Sequence, residues 1–216
     1  MGRPRTFAAA LLVVWLLAAG CGSQGDTGGN GVVSDVSSSD NDGYTGALLE
    51  TPYRVPDVTL DDTAGKHFSL TRDTEGRLNV VFFGYTKCPD VCQVVMGTIA
   101  SAYAKLDKAE QRRVQVLFVT TDPARDDSRV LRAYLDRLNP AFEGLTGPIA
   151  TIDRLGKPLG VFIKKGQRLP SGGYEVSHTT SVIAVGGRDT APLVWSATVS
   201  PSELATDIRA LLKKKV

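Results

Sequence analysis

Two cysteines four residues apart, Cys88 and Cys92, stand in the segment Gly84-Tyr-Thr-Lys-Cys-Pro-Asp-Val-Cys92 of this 216-residue chain. That spacing brings both sulfurs to one side of a nascent helix. A helix N-terminus offers unpaired N–H groups and a positive dipole end, which favour thiolate over thiol. Pro89 suits a first turn because it has no N–H to lose. Two such sulfurs can form a structural disulfide, cycle as a redox couple or hold a soft metal. A loop this short gains little from being stapled, because the stabilisation grows with loop length and vanishes with strain. A third donor is His178, in Tyr174-Glu-Val-Ser-His-Thr-Thr-Ser181. Thiolates favour Cu(I), and an imidazole helps to accept Cu(II), so two sulfurs and one imidazole suit copper. Structural zinc usually takes four protein ligands, and three are in view here. The other histidine, His67, reads as a surface residue of a hairpin.

These residues need elements to position them. Asn79 to Tyr85 is a continuous apolar run of the kind found in buried strands. Residues 91–106 place Val91, Val95, Ile99, Ala102 and Leu106 on one helical face, and Val114 to Val119 follows as a second buried strand. Together they make a βαβ unit with its crossover helix. Before it, Val58-Thr-Leu and His67-Phe-Ser-Leu flank a turn at Asp61–Gly65 and predict a hairpin. After it, Asp126 and Asp127 can cap a helix running to about Asn139, and a weaker helix is expected near 149–160. Strands are expected at Val161–Lys164, Thr180–Val185 and Leu193–Ser196, the last two joined at Gly186-Gly187. Ser200-Pro-Ser-Glu203 opens a final helix. This is the plan of an α/β, thioredoxin-like single domain: a central mixed sheet flanked by helices, with an N-terminal hairpin addition. In that plan the strand after His178 lies beside the first buried strand and its helix. Fold alone does not settle function.

The hydrophobic content of 42% supports one sizeable core. Residues 1–20 carry Arg3 and Arg5, then an apolar run from Phe7 through Ala19, then small residues, the order of a secretory signal peptide. Cys21 directly follows Ala-Gly, a boundary that resembles a bacterial lipobox with Ala18 where leucine is common, so lipidation at Cys21 is expected, with the protein held on the extracytoplasmic side of the cell membrane; the alternatives are a plain signal peptide cut nearby and an uncleaved anchor. Residues 22–48 are mostly Gly, Ser, Asp and Asn and read as a flexible tether with a reach of roughly 30 Å. The domain is expected over 49–216. Cleavage after residue 20 removes two arginines and no acids, taking the formal charge from +2 to zero. Lys213-Lys214-Lys215 reads as a helix C-terminus complementing its dipole. With no basic stripe elsewhere, a nucleic-acid partner is not expected.

Residues 79–185 resemble the Sco/SenC family of copper-binding assembly proteins for cytochrome c oxidase. The resemblance rests on Phe83-Gly-Tyr-Thr-Lys-Cys-Pro-Asp-Val-Cys92, on Thr121-Asp-Pro-Ala-Arg-Asp126, on Gly144-Leu-Thr-Gly147 and on His178 at the place of the family's metal histidine. It implies copper, as Cu(I), Cu(II) or both, on Cys88, Cys92 and His178. It further implies delivery to the oxidase subunit that carries the binuclear copper centre, with a copper donor and a thiol reductant as further partners. The chain departs from the family at Gln93, where proline is common, and at Ser177, where an aspartate is common. Neither change removes a ligand. The second removes a carboxylate that could orient the imidazole. Asp122 and Asp126 read as turn and cap residues.

A copper chaperone rather than an enzyme is the leading expectation. The alternative is a thiol-disulfide oxidoreductase that uses Cys88 and Cys92 as a redox pair to reduce the cysteines of that same subunit. Thioredoxin-type catalysts use Cys-x-x-Cys, one residue closer, and many carry a proline where this chain has His178-Thr179; both differences favour metal. A copper-responsive sensor or storage protein would use the same ligands.

Overall fold

The computed structural model describes residue 2 and residues 41–74, 76–168, 173–187 and 189–214. The expected signal segment apart from residue 2, Cys21, and residues 22–40 of the expected tether lie outside them. In chain order the elements are β1 (Ala47–Arg54), β2 (Leu60–Asp62), β3 (His67–Phe68), β4 (Leu78–Gly84), α1 (Val91–Ala104), α2 (Lys108–Arg112), β5 (Val114–Thr120) and α3 (Ser128–Asp136). There follow β6 (Glu143–Thr146), α4 (Ile149–Gly156), β7 (Ile163–Arg168), β8 (Tyr174–His178), β9 (Val182–Val185), β10 (Thr190–Trp195) and α5 (Pro201–Lys214).

The apolar runs of β4 and β5 make the centre of the sheet. Every residue of β4 is buried, as a strand covered on both faces requires. β4 and β5 pair in parallel from Leu78 with Val114 to Gly84 with Thr120, so their C-terminal ends finish side by side. The full order is β1-β10-β9-β4-β5-β6-β2-β3. β6 joins β5 in parallel, and β9 joins β4 antiparallel. Side chains alternate across the sheet. Val80, Phe82, Val116 and Phe118 face a layer containing Ile99 of α1, Leu131 of α3 and Ile208 of α5. Val81, Phe83, Leu117 and Val119 face Ile152 and Leu155 of α4. This is the expected mixed sheet with helices on both sides, and the expected hairpin appears as β2 and β3.

Besides β1, α2 and β8, where the sequence reading expected no element, four details differ from it. First, residues 41–48 belong to the folded unit: Tyr44 is buried, and Asp207 of α5 accepts the N–H groups of Thr45 and Gly46 at 3.0 and 2.9 Å. The stretch is polar in composition, but its backbone is satisfied by a buried carboxyl group that no local pattern reveals. Second, Gly144-Leu-Thr lies in a strand, β6, which is too short to show a period. A Cβ on Gly144 would lie 3.0 Å from the Cβ of Leu131, so the glycine lets α3 sit close on the sheet. Third, Asp127 alone caps α3, accepting the Val130 N–H at 2.8 Å, while Asp126 is fully buried and turned elsewhere. Fourth, the expected strand at 161–164 is part of a separate two-stranded ribbon, β7 with β8, outside the main sheet.

Candidate metal centre

The parallel register of β4 and β5 puts the cysteine loop and the Thr121–Asp126 turn next to each other, both leaving the C-terminal edge of the sheet. The crevice at such strand ends is where α/β sheets place their ligands. Thr121 N–H donates to the Gly84 carbonyl at 2.6 Å, and Cys88 N–H donates to Tyr85 O at 3.2 Å. Asp126 holds the loop from beneath. Its carboxyl group accepts from Thr86 N–H at 2.9 Å, Thr86 Oγ1 at 2.6 Å and Thr120 Oγ1 at 2.8 Å. A buried polar group of this kind must be paired, and here its donors come from both strand ends.

α1 has no side-chain cap at Asp90. The sulfur of Cys88 takes that place, accepting the Cys92 N–H at 3.4 Å. Cys92 is wholly buried, one turn on, and Gly84 makes room for it: a Cβ on Gly84 would stand 3.2 Å from the Cys92 sulfur. Both thiols are free. Burial pushes the Cys92 thiol well above its ordinary range, and its hydrogen bond with Cys88 adds to that. At Cys92, then, desolvation outweighs the helix-end preference for thiolate.

His178 ends β8, where it is half-buried. Its Nδ1 lies 2.9 Å from Thr179 O. A carbonyl only accepts, so Nδ1 carries the hydrogen and the Nε2 lone pair is left facing Cys92 Sγ at 3.4 Å. Burial lowers the pKa of His178, the Thr179 contact opposing it in part, which keeps the ring neutral near pH 7. The edges of Phe82 and Tyr85 pack against the ring at 6.2 and 5.9 Å between centroids. Among the described residues, the potential ligand atoms of Cys88, Cys92 and His178 form one group, all within 4.8 Å of one another.

The three candidate ligands are thus brought together, and Cys21 lies outside the described residues. Of the two departures from the family pattern, Gln93 is exposed and Ser177 is exposed. The imidazole is oriented by the Thr179 carbonyl instead of a neighbouring carboxylate. His67 is at the surface, beside Asp61, as expected. Thr86, Tyr85 and Thr179 were not singled out from the sequence. Asp126 was, but for a cap; its closeness to the cysteines follows only from the pairing of β4 with β5.

A family model described as SCO1/SenC matches residues 49–213. A protein of Stutzerimonas stutzeri, named as a candidate copper-binding protein, is 34% identical over 140 residues, 64% of this chain and 67% of its own. The SCO2 protein of yeast mitochondria (Saccharomyces cerevisiae) is 29% identical over 64% of this chain, which spans only 44% of that protein's length. Among solved structures, the solution structure of apo Sco1 from Thermus thermophilus is 33% identical and superimposes with a TM-score of 0.70, covering 78% of this chain and 97% of that one.

Proposed function

The chain belongs to the SCO1/SenC family, and from that membership and the site geometry we propose that it is a membrane-tethered, extracytoplasmic copper chaperone holding copper on Cys88, Cys92 and His178. The observation that carries this reading is the convergence of two sulfurs and one oriented imidazole nitrogen within 4.8 Å. Soft sulfurs suit Cu(I), and the neutral imidazole extends the site to Cu(II). Uptake displaces thiol protons, because thiolate and not thiol is the ligand. A site of three protein donors leaves a position for an incoming ligand, which handing the ion on requires. The recipient, following the family resemblance, is the cytochrome c oxidase subunit with the binuclear copper centre. A copper donor and a thiol reductant serve the site before that. Lipidation at Cys21 would hold the domain at the membrane. Among the described residues, no helix is long and apolar enough to cross one.

Burial of the pair favours metal over disulfide exchange as the main work. An attacking thiolate needs access to its target disulfide. Here Cys92 has no exposed surface and Cys88 only 5%. A metal ion needs far less room than a protein disulfide.

The test is oxidase assembly in cells carrying single variants. A copper carrier needs the imidazole, whereas a reductase needs only the sulfurs. His178→Ala cells are expected to lose oxidase activity nearly as severely as Cys88→Ser or Cys92→Ser cells, and added copper should restore part of it. Near-normal oxidase with His178→Ala, while both cysteine variants fail, would instead establish the reductase.

A further inference from the structure

The sulfurs and the imidazole reach the site on separate pieces of the fold. Cys88 and Cys92 sit where β4 runs into α1, rooted in the main sheet. His178 sits on the β7–β8 ribbon, which among the described residues shares no strand pairing with that sheet. One end of the ribbon is held near His178 by the short connection to β9 and by Thr179, whose N–H donates to Phe162 O at 3.2 Å. The other end, at Tyr174, lies four residues away, on the order of 13 Å along the strand. Beside it runs a cleft of about 670 Å³, bordered by Tyr174 and Val176 of the ribbon, by Ile149 and Ala150 of α4, and by Asp122 and Pro123 of the Thr121–Asp126 turn. Val176 of β8 is buried in the core layer that contains Cys92 and Ile99, with Ile163 and Tyr174 packed beside it, so packing holds the middle of the ribbon and the placing of its Tyr174 end falls to polar contacts.

What closes on Tyr174 is the Thr121–Asp126 turn. The Tyr174 hydroxyl donates to Asp122 Oδ1 at 2.6 Å. Arg125 Nη2 donates to the Tyr174 carbonyl at 3.0 Å, and Arg125 Nε pairs with the other Asp122 oxygen. The guanidinium also stacks on the Tyr174 ring, 3.8 Å from its centroid, with Lys165 Nζ 4.1 Å from the same centroid. Asp122 and Arg125 are both shielded from water, with side chains 5% and 18% exposed, so this closed ring is not a loosely screened surface pair. The same turn carries Asp126, which grips Thr86 beneath the cysteine loop. It is internally tight, since Arg125 N–H and Asp126 N–H both donate to Asp122 O at 3.0 Å.

Resting on the assignment of His178 as a copper ligand, we propose that the Thr121–Asp126 turn is a bracket joining the two arms of the site, with Arg125 and Asp122 as positioning residues that hold the β7–β8 ribbon, and so the imidazole, at ligating distance from the sulfurs. Asp126 fixes the cysteine arm; Asp122 and Arg125 fix the histidine arm through Tyr174. Neither Asp122 nor Arg125 belongs to the group of candidate ligands.

The experiment compares Arg125→Met, Tyr174→Phe and His178→Ala with the parent in two measurements. In the metal-free protein, amide hydrogen exchange across 174–178 should quicken about tenfold in Arg125→Met, and less in Tyr174→Phe, which loses only the Asp122 contact. Amides of β4, β5 and α1 should keep parental rates. In the reduced protein titrated with Cu(II), Arg125→Met should bind about tenfold more weakly, with its thiolate-to-copper absorption displaced toward that of His178→Ala. Parental ribbon exchange and a parental copper spectrum in Arg125→Met would overturn the bracket, as would exchange that quickens equally throughout the sheet. If His178→Ala itself leaves the copper spectrum unchanged, the ligand assignment falls and the bracket with it. If His178→Ala alters the spectrum and Arg125→Met does not, the bracket alone falls.

Discussion

Cys92 and His178 are displaced in opposite directions from their ordinary pKa values for one reason: burial disfavours the charged form of each. The consequences for the metal-free fold have opposite signs on the pH axis. Cys92 has a folded value raised above its unfolded 9.0, so its contribution is fully present below that pH and is lost as pH rises. Tyr134, pushed up to about 12 chiefly by burial, acts in the same direction above 10.0, and is worth roughly 2–3 kcal/mol when fully expressed. His178 has a folded value below its unfolded 6.5, so its contribution is present above that pH and is lost as pH falls. The urea midpoint of the metal-free protein should therefore be nearly level from about pH 7 to 9 and fall on both sides. A His178→Ala variant that keeps the full acid-side fall would remove His178 as its cause. Oxidation gives a second residue-scale test. Sulfurs bonded to each other cannot donate as thiolates, so protein carrying a Cys88–Cys92 disulfide should take up copper only after reduction. Equal stoichiometry in both redox states would rule out this pair as the site. The cysteines and the histidine were legible in the sequence because their chemistry is rare and their segments are distinctive. Asp126 was legible only as a polar turn residue, since its three donors come from two strands brought together by the sheet.

At the scale of elements, the central strands announce themselves. β4 and β5 are unbroken apolar runs, and α1 and α3 carry an apolar stripe at helical spacing. The ribbon does so only in part, the strand expected at 161–164 overlapping just the start of β7. β7 is Ile-Lys-Lys-Gly-Gln-Arg, a strand without an apolar alternation. β8 does alternate, with Tyr174, Val176 and His178 less exposed than Glu175 and Ser177, and that period of two is the signal that could have found it. The N-terminal boundary was set too late for a related reason. Asn41 holds Leu48 N–H at 2.8 Å, and Asp207 holds Thr45, Gly46 and the Trp195 indole, all contacts between distant or polar residues. A chain beginning at Leu49 loses buried Tyr44 and leaves Asp207 with one of these partners. It should be less stable than one beginning at Asn41 by about 2–4 kcal/mol, read from urea denaturation. Identical midpoints would mean that residues 41–48 add nothing to the fold.

On the proposed reading, the whole molecule joins a copper-carrying domain to a membrane anchor through a segment rich in Gly, Ser, Asp and Asn. If Cys21 is the anchor, mass spectrometry of protein extracted from membranes should find an acylated N-terminal cysteine. A soluble, unmodified mature form in otherwise unaltered cells would contradict it. An anchored domain can search only its own membrane surface, which would suit the proposed delivery to a membrane-bound oxidase. The central claim is narrower: one copper ion held by two sulfurs and one imidazole. It is tested most directly by X-ray absorption at the copper edge on the reduced protein loaded with one equivalent. The account predicts sulfur scattering from Cys88 and Cys92 with an imidazole nitrogen beside it, and loss of that nitrogen alone in His178→Ala. A nitrogen that persists in His178→Ala, or sulfur scattering that survives Cys88→Ser and Cys92→Ser unchanged, would place the copper elsewhere and contradict the account.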